Sequence, residues 1–410
     1  MAEVGSETKA EIVVVGAGLA GLAAATALSQ DGFAVVIAAP AFDAAGAQAE
    51  TRTTALLPPS IQLLENLGVW QACVTKTSPL LGVRIIDDRG GLVRAPEVLF
   101  EASEIGREDL GANVPNSALS AAFWAKLRVS SNLTWLATRG VTTLEPGPSH
   151  VTLGLAEGGW IRATLVVAAD GRNSLSRAAA GISARTWDYP QAAIATSFRH
   201  GLTHGGISTE LHRRAGPLTT VPLPGRASSL VWVEEPPAAA RLAGLIESDF
   251  KGELEARLQG FLGPIEGIGP RALFRLSGLA ALSLGRQRIA LVGEAAHVIP
   301  PIGAQGLNLG LRDVATIAEC VAEARASGRD IGGAGTLAAY AAARAADVAS
   351  RLAMVDLLNR SLLTDFLPAQ ALRGLGLHLL ASSGPLRQLA IRGGAGSPSP
   401  LPRLMRADAR

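Results

Sequence analysis

The chain has 410 residues, of which 48% are apolar and 18% charged, and its net charge is +2. This length is sufficient for two or three domains with a sizeable core. The sequence contains no basic block and no acidic tail, so no nucleic-acid partner is expected.

The cysteines and histidines do not show the spacing of a metal site. Cys73 and Cys320 lie far apart, which is typical of buried reduced thiols in a cytosolic protein. His200 and His204 are four residues apart but lack a nearby Cys or acidic partner, so no metal is predicted. The apolar run Ile12–Leu28 has about the minimum length that can span a bilayer. It is, however, interrupted by glycines and preceded by a polar leader. We therefore expect a cytoplasmic protein without a signal peptide or transmembrane helix.

The first predicted element is a βαβ unit at residues 11–40, in which a glycine turn joins an apolar strand to a helix. A helix is predicted from Pro59 to Cys73, and a buried apolar strand at Leu165–Ala169. Residues 192–234 alternate between apolar and polar positions, which predicts an antiparallel sheet with one face covered. Two late helices are predicted at residues 313–326 and 334–360.

This order predicts an α/β fold, in which a Rossmann-like dinucleotide-binding domain is interleaved with an α+β second domain. The second domain is predicted to bind the substrate on its antiparallel sheet, and the chain ends in a helical segment. We assign the dinucleotide-binding domain to residues 1–80, 98–175 and 277–350, the substrate domain to 81–97 and 176–276, and the helical C-terminal segment to 351–410.

The motif Gly16-x-Gly18-x-x-Gly21 follows a strand and opens a helix, as dinucleotide binding requires. Gly16 makes the turn, Gly18 lets the backbone approach a pyrophosphate, and Gly21 allows close packing of helix on strand. The helix dipole favours the phosphates at this N-terminus. The second strand ends at Ala39, where an acidic residue would bind a ribose hydroxyl. Either Glu50 or a backbone group replaces that contact, or the ribose is bound less tightly.

Two further motifs are "VVAADGRNSLSR", which contains Asp170-Gly171, and "LVGEAAHVIPPIGAQGLNLGLRD". With the glycine motif, their order and spacing over essentially the whole chain are similar to those of the group A FAD-dependent monooxygenases. These single-component aromatic hydroxylases have the para-hydroxybenzoate-hydroxylase-like fold. The resemblance implies that the dinucleotide-binding domain binds FAD, because NAD alone would need only the first motif.

Five segments look like the ubiquinone-biosynthesis hydroxylase branch of this family. They are "ETRTTALLPPSIQLLENLGVW", "NVPNSALSAAF", "TWDYPQAAIATSFRH", "GPLTTVPLPG" and "LLNRSLLTDFLP". The branch fingerprint is His-Pro-aliphatic-Ala/Gly-Gly-Gln-Gly-x-Asn-x-Gly-x-x-Asp. It is matched by Pro301, Ile302, Gly303, Gln305, Gly306, Asn308, Gly310 and Asp313. Pro300 replaces the leading His, Ala304 replaces a Gly, and Glu294 replaces the Asp of an upstream "GD" pair.

The resemblance implies site residues in all three motifs and in two loops. The implied cofactor-binding residues are Gly16, Gly18, Gly21, Arg52, Asn116, Asp170, Gly171, Arg172, Gly293, Glu294, Ala304, Leu307 and Asn308. The implied flavin-facing loop, without an assigned side-chain base, contains Pro301, Gly303, Gln305 and Gly306. Alternatives remain for several aromatic and polar side chains. In these alternatives, Arg52 is a solvated loop charge and Asn116 is only a helix N-cap. Trp187 and Tyr189 are core aromatics, and His297 is a structural histidine.

The resemblance also implies a mechanism and a substrate. NADPH or NADH reduces FAD, O₂ then forms a flavin C4a-hydroperoxide, and one oxygen enters a polyprenylated phenol that is a precursor of ubiquinone. A helix beginning near Gly306–Asn308 is expected to stabilise negative charge on the flavin. Because this substrate is membrane-soluble, Leu362–Ile391 is expected either at the inner membrane surface or in a domain or subunit contact. Membership of a ubiquinone-biosynthesis complex is a further expectation.

Two other functions are compatible with the sequence. The first is a reductase or epoxidase of the same fold that acts on another isoprenoid or aromatic substrate. The second is a flavin-binding subunit of a biosynthetic complex with little activity of its own. The departures at Ala39, Glu294 and Ala304 are the features that permit the second function.

Overall fold

The computed structural model describes residues 7–89, 95–364, 367–395 and 400–407. Residues 1–6 of the predicted dinucleotide-binding domain and 90–94 of the predicted substrate domain lie outside the described residues. The same is true of 365–366, 396–399 and 408–410 in the predicted C-terminal segment. The elements of the first half are β1 (Glu7–Val15), α1 (Leu19–Gln30), β2 (Val35–Ala39), α2 (Ala44–Ala49), β3 (Thr53–Leu56), α3 (Pro58–Asn66), β4 (Ser78–Pro79), β5 (Gly82–Asp87), β6 (Val98–Glu101), β7 (Ala112–Pro115), α4 (Asn116–Leu127), β8 (Leu133–Ala137), β9 (Val141–Pro146), β10 (Val151–Leu155), β11 (Trp160–Ala168) and α5 (Leu175–Ala179).

The second half contains the long strands of the substrate sheet, followed by helices. Its elements are β12 (Ala184–His200), β13 (Ile207–His212), β14 (Pro217–Leu223), β15 (Ala227–Glu234), α6 (Pro236–Gly244), α7 (Glu247–Leu258), β16 (Ile265–Ile268), β17 (Ala272–Ala281), β18 (Gly285–Arg286), β19 (Ile289–Leu291), β20 (His297–Val298), α8 (Gln305–Ala326), α9 (Ala334–Leu363), α10 (Leu367–Ser382) and α11 (Gly384–Ala395).

The first sheet is the predicted Rossmann-like layer. Its central strands run parallel in the order β19-β11-β1-β2-β8, and β18 pairs antiparallel at one edge. β2, β19 and the C-terminal halves of β1 and β11 are apolar and buried, as expected where helices cover both faces of a parallel sheet. Helices α1, α4 and α8 pack around this sheet in the main core of the protein.

The second sheet is built from strands of several chain segments, in the order β20-β17-β12-β15-β14-β13-β5-β6. Neighbouring strands are antiparallel except for the parallel pair β13 and β5. One face packs on α6 and α7 through a separate apolar core that includes Trp232 and Phe250. The predicted fold class, an α/β domain interleaved with an antiparallel sheet, is confirmed. The exact domain division stays a prediction.

Two helices differ from their predicted bounds. The helix predicted to reach Cys73 ends at Asn66, because Gly68 adopts φ +70 and the N–H of Val69 bonds back to the Leu64 carbonyl. The helix predicted from residue 313 begins two turns earlier, at Gln305. Within the part of the chain described, no helix is both long and apolar enough to cross a membrane.

Candidate active site

The glycine motif forms an open helix N-terminus. A Cβ on Gly16 would lie 2.5 Å from the carbonyl oxygen of Ala169, and one on Gly21 would lie 2.1 Å from that of Gly16. These two glycines are therefore required by the packing of the turn itself. Gly18 differs, since a Cβ there would meet no atom within 4 Å. Gly18 begins α1 without a side-chain cap, so the first N–H groups of the helix remain available to a phosphate.

The end of β2 provides no carboxylate for a ribose. Ala39 is buried there, and its carbonyl accepts a hydrogen bond from the N–H of Thr138. The Glu50 carboxylate accepts a hydrogen bond from Arg52 Nε at 2.9 Å. That hydrogen bond holds the pKa of Glu50 below its ordinary value and the pKa of Arg52 above its own. A ribose contact by Glu50 therefore competes with its contact to Arg52.

Arg52 lies between the two domains. Its guanidinium carbon is 5.5 Å from the centre of the Phe274 ring, which belongs to β17 of the second sheet. The Glu294 carboxylate interacts electrostatically with Arg52, more weakly than Glu50 does. Arg172 Nε lies 3.9 Å from the Glu294 carboxylate. Glu294 is half exposed. Residues predicted from two motifs and from a separate loop thus form one polar, solvent-accessible cluster.

Asn116 is positioned by this same region. Its N–H donates to the carbonyl of Arg52 at 3.0 Å, and its side-chain oxygen accepts from Thr54 Oγ1 at 2.7 Å. The alternative that Asn116 serves only as a helix N-cap is wrong, because Pro115 occupies that position and Asn116 is the first residue of α4.

Asp170 follows the buried strand as predicted, but its oxygens are used locally. One accepts from Ser174 Oγ and the other from the N–H of Ser176 at 3.0 Å, which fixes the turn into α5. Gly171 adopts φ +76, and a Cβ there would meet nothing within 4 Å. The backbone beside Asp170 is therefore the open part of this motif.

The glycine-rich loop turns sharply before α8. Gly303 and Ala304 both adopt positive φ, at +63 and +54, and Ala304 is the N-cap residue. Gly306 is open, since a Cβ there would meet no atom within 4 Å. Asn308 holds the loop to β3: its Nδ2 donates to the Ala55 carbonyl at 2.9 Å and to the Ala304 carbonyl at 2.6 Å, and its Oδ1 accepts from the N–H of Leu57 at 2.9 Å.

The remaining loop residues have structural environments. Gln305 is buried, and its Nε2 donates to the Gly303 carbonyl at 3.0 Å. Leu307 packs against the main core. Gly293 adopts φ +59 and donates its N–H to Asp313 Oδ2 at 3.1 Å. Pro301 is exposed at the loop surface.

A buried ionic network behind the loop was not predicted from the sequence. The Asp313 carboxylate accepts from His297 Nε2 at 2.6 Å and from Arg344 Nε at 2.8 Å. Arg344 also donates to Asp347 at 2.7 Å, and Asp347 accepts from Arg351 Nε at 3.1 Å. Arg351 in turn donates to the side-chain oxygen of Gln305. The structural alternative for His297 therefore has direct support.

The charges in this network are set by their neighbours. Burial opposes the ionisation of Asp313, but His297 and Arg344 hold its pKa below the ordinary range. Burial likewise opposes the charge of Arg344, and Asp313 and Asp347 keep its pKa raised. The network therefore consists of paired buried charges. Removing one partner would leave the other charge buried without compensation.

The aromatic residues Trp187 and Tyr189, from the segment "TWDYPQAAIATSFRH" that resembles the hydroxylase branch, connect the second sheet to α9. Trp187 Nε1 donates to Tyr189 Oη at 2.6 Å, and Tyr189 donates to Asp356 at 2.6 Å. Burial, with the hydrogen bond to Asp356, raises the pKa of Tyr189 to about 12. Asn359 Nδ2 donates to the Gln191 side chain at 2.8 Å. These residues join the second sheet to the C-terminal part of α9, in addition to the core role given as the alternative.

The arrangement fits FAD. Two helices, α1 and α8, present N-termini whose glycines, Gly18 and Gly306, leave the backbone open. Arginines at the same surface, Arg52 and Arg172, provide cationic groups for an anionic cofactor. Such helix ends stabilise phosphate at one point and negative charge on a flavin ring at the other.

Comparisons with known proteins agree with this geometry. The model of the FAD binding domain family matches residues 9–354. The chain is 37% identical to ubiquinone hydroxylase UbiL of Rhodospirillum rubrum, over 97% of this chain and 92% of that protein. It is 31% identical to 3-demethoxyubiquinol 3-hydroxylase of Escherichia coli, over 93% of this chain and 97% of that protein.

A solved structure shows the same fold at lower identity. The p-nitrophenol 4-monooxygenase PnpA of Pseudomonas putida superposes with a TM-score of 0.78 and 17% identity, covering 96% of this chain and 100% of that one. At this identity the likeness establishes the fold alone. With the family match and the two relatives, it follows that this chain is a member of the FAD-dependent monooxygenases, in the branch of the ubiquinone-biosynthesis hydroxylases.

Proposed function

We propose that this protein hydroxylates a polyprenylated phenol on the route to ubiquinone, with FAD as its cofactor and O₂ as the source of the oxygen. The observation that carries the proposal is the pair of open helix N-termini at Gly18 and Gly306, next to the polar cluster of Arg52, Arg172 and Glu294. The hydroxylase names of the relatives support the phenolic substrate and the use of O₂.

The proposed cofactor contacts follow the open backbone. The N-terminus of α1 binds the pyrophosphate through N–H groups near Gly18, and Arg52 adds a cation beside it. Glu294 binds ribityl hydroxyls, and its half-exposed carboxylate leaves room for the additional methylene relative to Asp. FAD, when reduced, activates O₂, and the chain's task is to orient the cofactor and exclude water.

The loop from Pro301 to Gly306 and the second sheet form the two walls of the proposed reaction site. The α8 N-terminus stabilises negative charge near the flavin without a charged side chain. NADPH or NADH is the proposed donor, and Arg172, next to Gly171 in the chain and about half exposed, supplies a cation for its path. The exposed face of the Asp170 turn supports this path, because its backbone is open.

We also propose peripheral contact with the inner face of the membrane, for a protein otherwise in the cytoplasm. Four leucines on α10 and α11 are exposed: Leu375, Leu379, Leu386 and Leu389. The opposite side of α11 packs on the protein through Ile391 and through Arg387, which pairs with Glu104 at 2.8 Å. Exposed apolar side chains on an anchored helix pair suit an interfacial position. Membership of a ubiquinone-biosynthesis complex is proposed for the same face.

Complementation tests the proposed function. Strains that lack individual ubiquinone-biosynthesis hydroxylases would receive this chain, and the accumulated intermediate would be identified by mass. Restoration of ubiquinone in at least one strain, with loss of the intermediate that lacks one oxygen, supports the proposal. A Gly18→Ala variant serves as a control that retains the fold. Failure to restore any ring hydroxylation, with the protein present at normal amounts, would contradict it.

A further inference from the structure

Glu210 and His212 form a buried polar pair on β13. His212 Nε2 lies 2.9 Å from Glu210 Oε1. His212 is 3% exposed and Glu210 is 8% exposed. Burying an imidazole and a carboxylate costs free energy unless their hydrogen-bonding groups are used. The pair belongs to neither the proposed cofactor contacts nor the ionic network behind α8.

The alternation of β13 shows which way the pair points. Leu211, between the two residues, packs in the apolar core under α6 and α7. Side chains alternate between the two faces of a strand, so Glu210 and His212 lie on the opposite face. That face continues across the sheet from Glu210 to Thr219 and then to Val231, which are register partners on β14 and β15.

The same face meets the FAD-binding domain. Ser229 lies two residues from Val231 on β15 and therefore shares its face. Ser229 Oγ accepts hydrogen bonds from Thr53 Oγ1 at 2.9 Å and from Asn113 Nδ2 at 3.3 Å, both residues of that domain. The Glu210–His212 pair is thus on the side of the sheet that is turned toward the proposed flavin site.

The two nitrogens of the His212 ring differ in their hydrogen bonding. Nδ1 is buried and lacks a hydrogen-bond partner among the residues that the structure describes. The Glu210 carboxylate accepts from Nε2–H, so in the neutral imidazole Nδ1 carries the lone pair. A buried acceptor without a donor is unfavourable. The arrangement therefore suits a ligand that brings a hydroxyl group to Nδ1.

Other charged groups near His212 are engaged elsewhere. Asp87, its register partner on β5, accepts from the N–H of Ala95 at 3.3 Å. Asp88 contributes its backbone N–H to the His212 carbonyl at 2.9 Å. Arg213 pairs with Glu234 at 2.7 Å. Among the described residues, the charged side chain that pairs with the His212 ring is Glu210.

We propose that Glu210 and His212 bind the phenolic hydroxyl of the substrate and remove its proton; this rests on the proposed function. The phenol O–H bond breaks, an N–H bond forms at His212 Nδ1, and the electron pair stays on the phenolate oxygen. Glu210 stabilises the imidazolium that results. The phenolate ring is richer in electrons than the phenol, and so it attacks an electrophilic oxygen more readily. The hydroxylated ring carbon then loses its proton to water as the C–H electron pair returns to the ring, and His212 gives its own proton back to the phenolate oxygen.

The ionisation of a bound phenol tests this proposal without turnover. The FAD-loaded protein, with no reductant present, would be titrated with 2-prenylphenol, and phenolate would be followed by its ultraviolet difference spectrum against pH. The bound phenol should ionise at a pH lower by about one unit or more than the free phenol, which is a tenfold effect. His212→Gln should abolish this shift, and Glu210→Gln should reduce it. Ser208→Ala, on the same face and bonded to the Thr220 carbonyl, should preserve it.

Turnover gives a second readout. His212→Gln should lower kcat at neutral pH with a smaller change in KM, and the loss should shrink at high pH, where the phenol ionises unaided. A merely structural His212 would lower FAD content or thermal stability instead, with an unchanged pH profile. If His212→Gln and Glu210→Gln both keep the full phenolate shift and still hydroxylate the substrate, the proposal is overturned and the proposed function stands. Absence of both probe binding and hydroxylation in the unsubstituted protein overturns the proposed function with it.

Discussion

The carboxylate of Asp313 accepts a hydrogen bond from His297 Nε2 at 2.6 Å, and the two side chains are almost completely enclosed. The second oxygen of Asp313 accepts from Arg344 at 2.8 Å. One carboxylate therefore joins β20, α8 and α9 directly behind the glycine-rich loop. The position of the α8 N-terminus depends on this junction, since Gly293 also donates to it.

Replacing Asp313 by Asn should destabilise the protein by about 3–5 kcal/mol, because the buried Arg344 would lose one of its two carboxylate partners and His297 would lose its own. The free energy of unfolding, measured by urea denaturation, checks this. Asp249→Asn, on the surface of α7, is the matched control and should change stability by less than about 0.5 kcal/mol. Equal effects of the two substitutions would show that the junction contributes little.

Acid should weaken the same junction. The pKa of Asp313 is depressed in the folded state, so its contribution to stability is complete above the ordinary value of about 3.9 and is lost as the pH falls through the depressed one. The stability difference between the unsubstituted protein and Asp313→Asn should therefore be constant near neutral pH and shrink below about pH 4. Unfolding curves at a series of pH values measure it. A difference independent of pH would mean that Asp313 is not ionised in the folded protein.

Ala304→Gly should stabilise the protein by up to about 1 kcal/mol. Ala304 adopts φ +54, where a Cβ is strained and glycine is not. Ala342→Gly provides the control, because Ala342 is exposed in the middle of α9 and the same substitution there should cost about 1 kcal/mol. Thermal unfolding distinguishes the opposite signs. Destabilisation at both positions would argue against a left-handed conformation at residue 304.

Gly18→Ala and Gly21→Ala should separate cofactor binding from folding. A Cβ at Gly18 meets no protein atom, so stability without FAD should stay within about 0.5 kcal/mol while FAD affinity falls by about tenfold or more. A Cβ at Gly21 would lie 2.1 Å from a backbone oxygen, so that variant should lose about 1–3 kcal/mol of stability. Calorimetry and flavin fluorescence measure the two effects. Undiminished FAD affinity in Gly18→Ala would exclude the proposed pyrophosphate position.

Arg351→Gln should weaken FAD binding by roughly tenfold, the equivalent of one hydrogen bond to a charged group. Arg351 does not reach the open surface of the loop; it acts on Gln305, which in turn bonds to the Gly303 carbonyl. Arg360→Gln, on the same helix but in an exposed pair with Asp356, is the control. The dissociation constant of FAD is the readout, and equal values for both variants would contradict a positioning role for Arg351.

The parts of the site that could be predicted from the sequence are those fixed by short-range geometry. Gly16 and Gly21 have neighbours within a few residues or on the adjoining strand, so their spacing alone indicates the turn. Ala304 is the opposite case. Its left-handed conformation is imposed by the closure of the loop onto β3 through Asn308, and alanine gives no local sign of it.

The ionic network could not be predicted, because its members come together only when α9 packs on α8. Asp313 and Arg344 are 31 residues apart, and helical spacing shows only that each faces inward. The Glu210–His212 pair did have a local signal. Glu210 and His212 flank Leu211 in a strand, and this alternation places both polar residues on one face. Its burial, however, depends on the second domain.

The central claim is most directly tested by isotope incorporation. The purified protein would be supplied with FAD, NADPH or NADH, isotopically labelled O₂ and a prenylated phenol, and the product would be examined by mass spectrometry. One labelled oxygen atom in the aromatic ring of the product, dependent on FAD and on the reduced nucleotide, is the predicted result. Oxidation of the nucleotide with formation of peroxide alone, or a reduced or epoxidised product without ring hydroxylation, would contradict it.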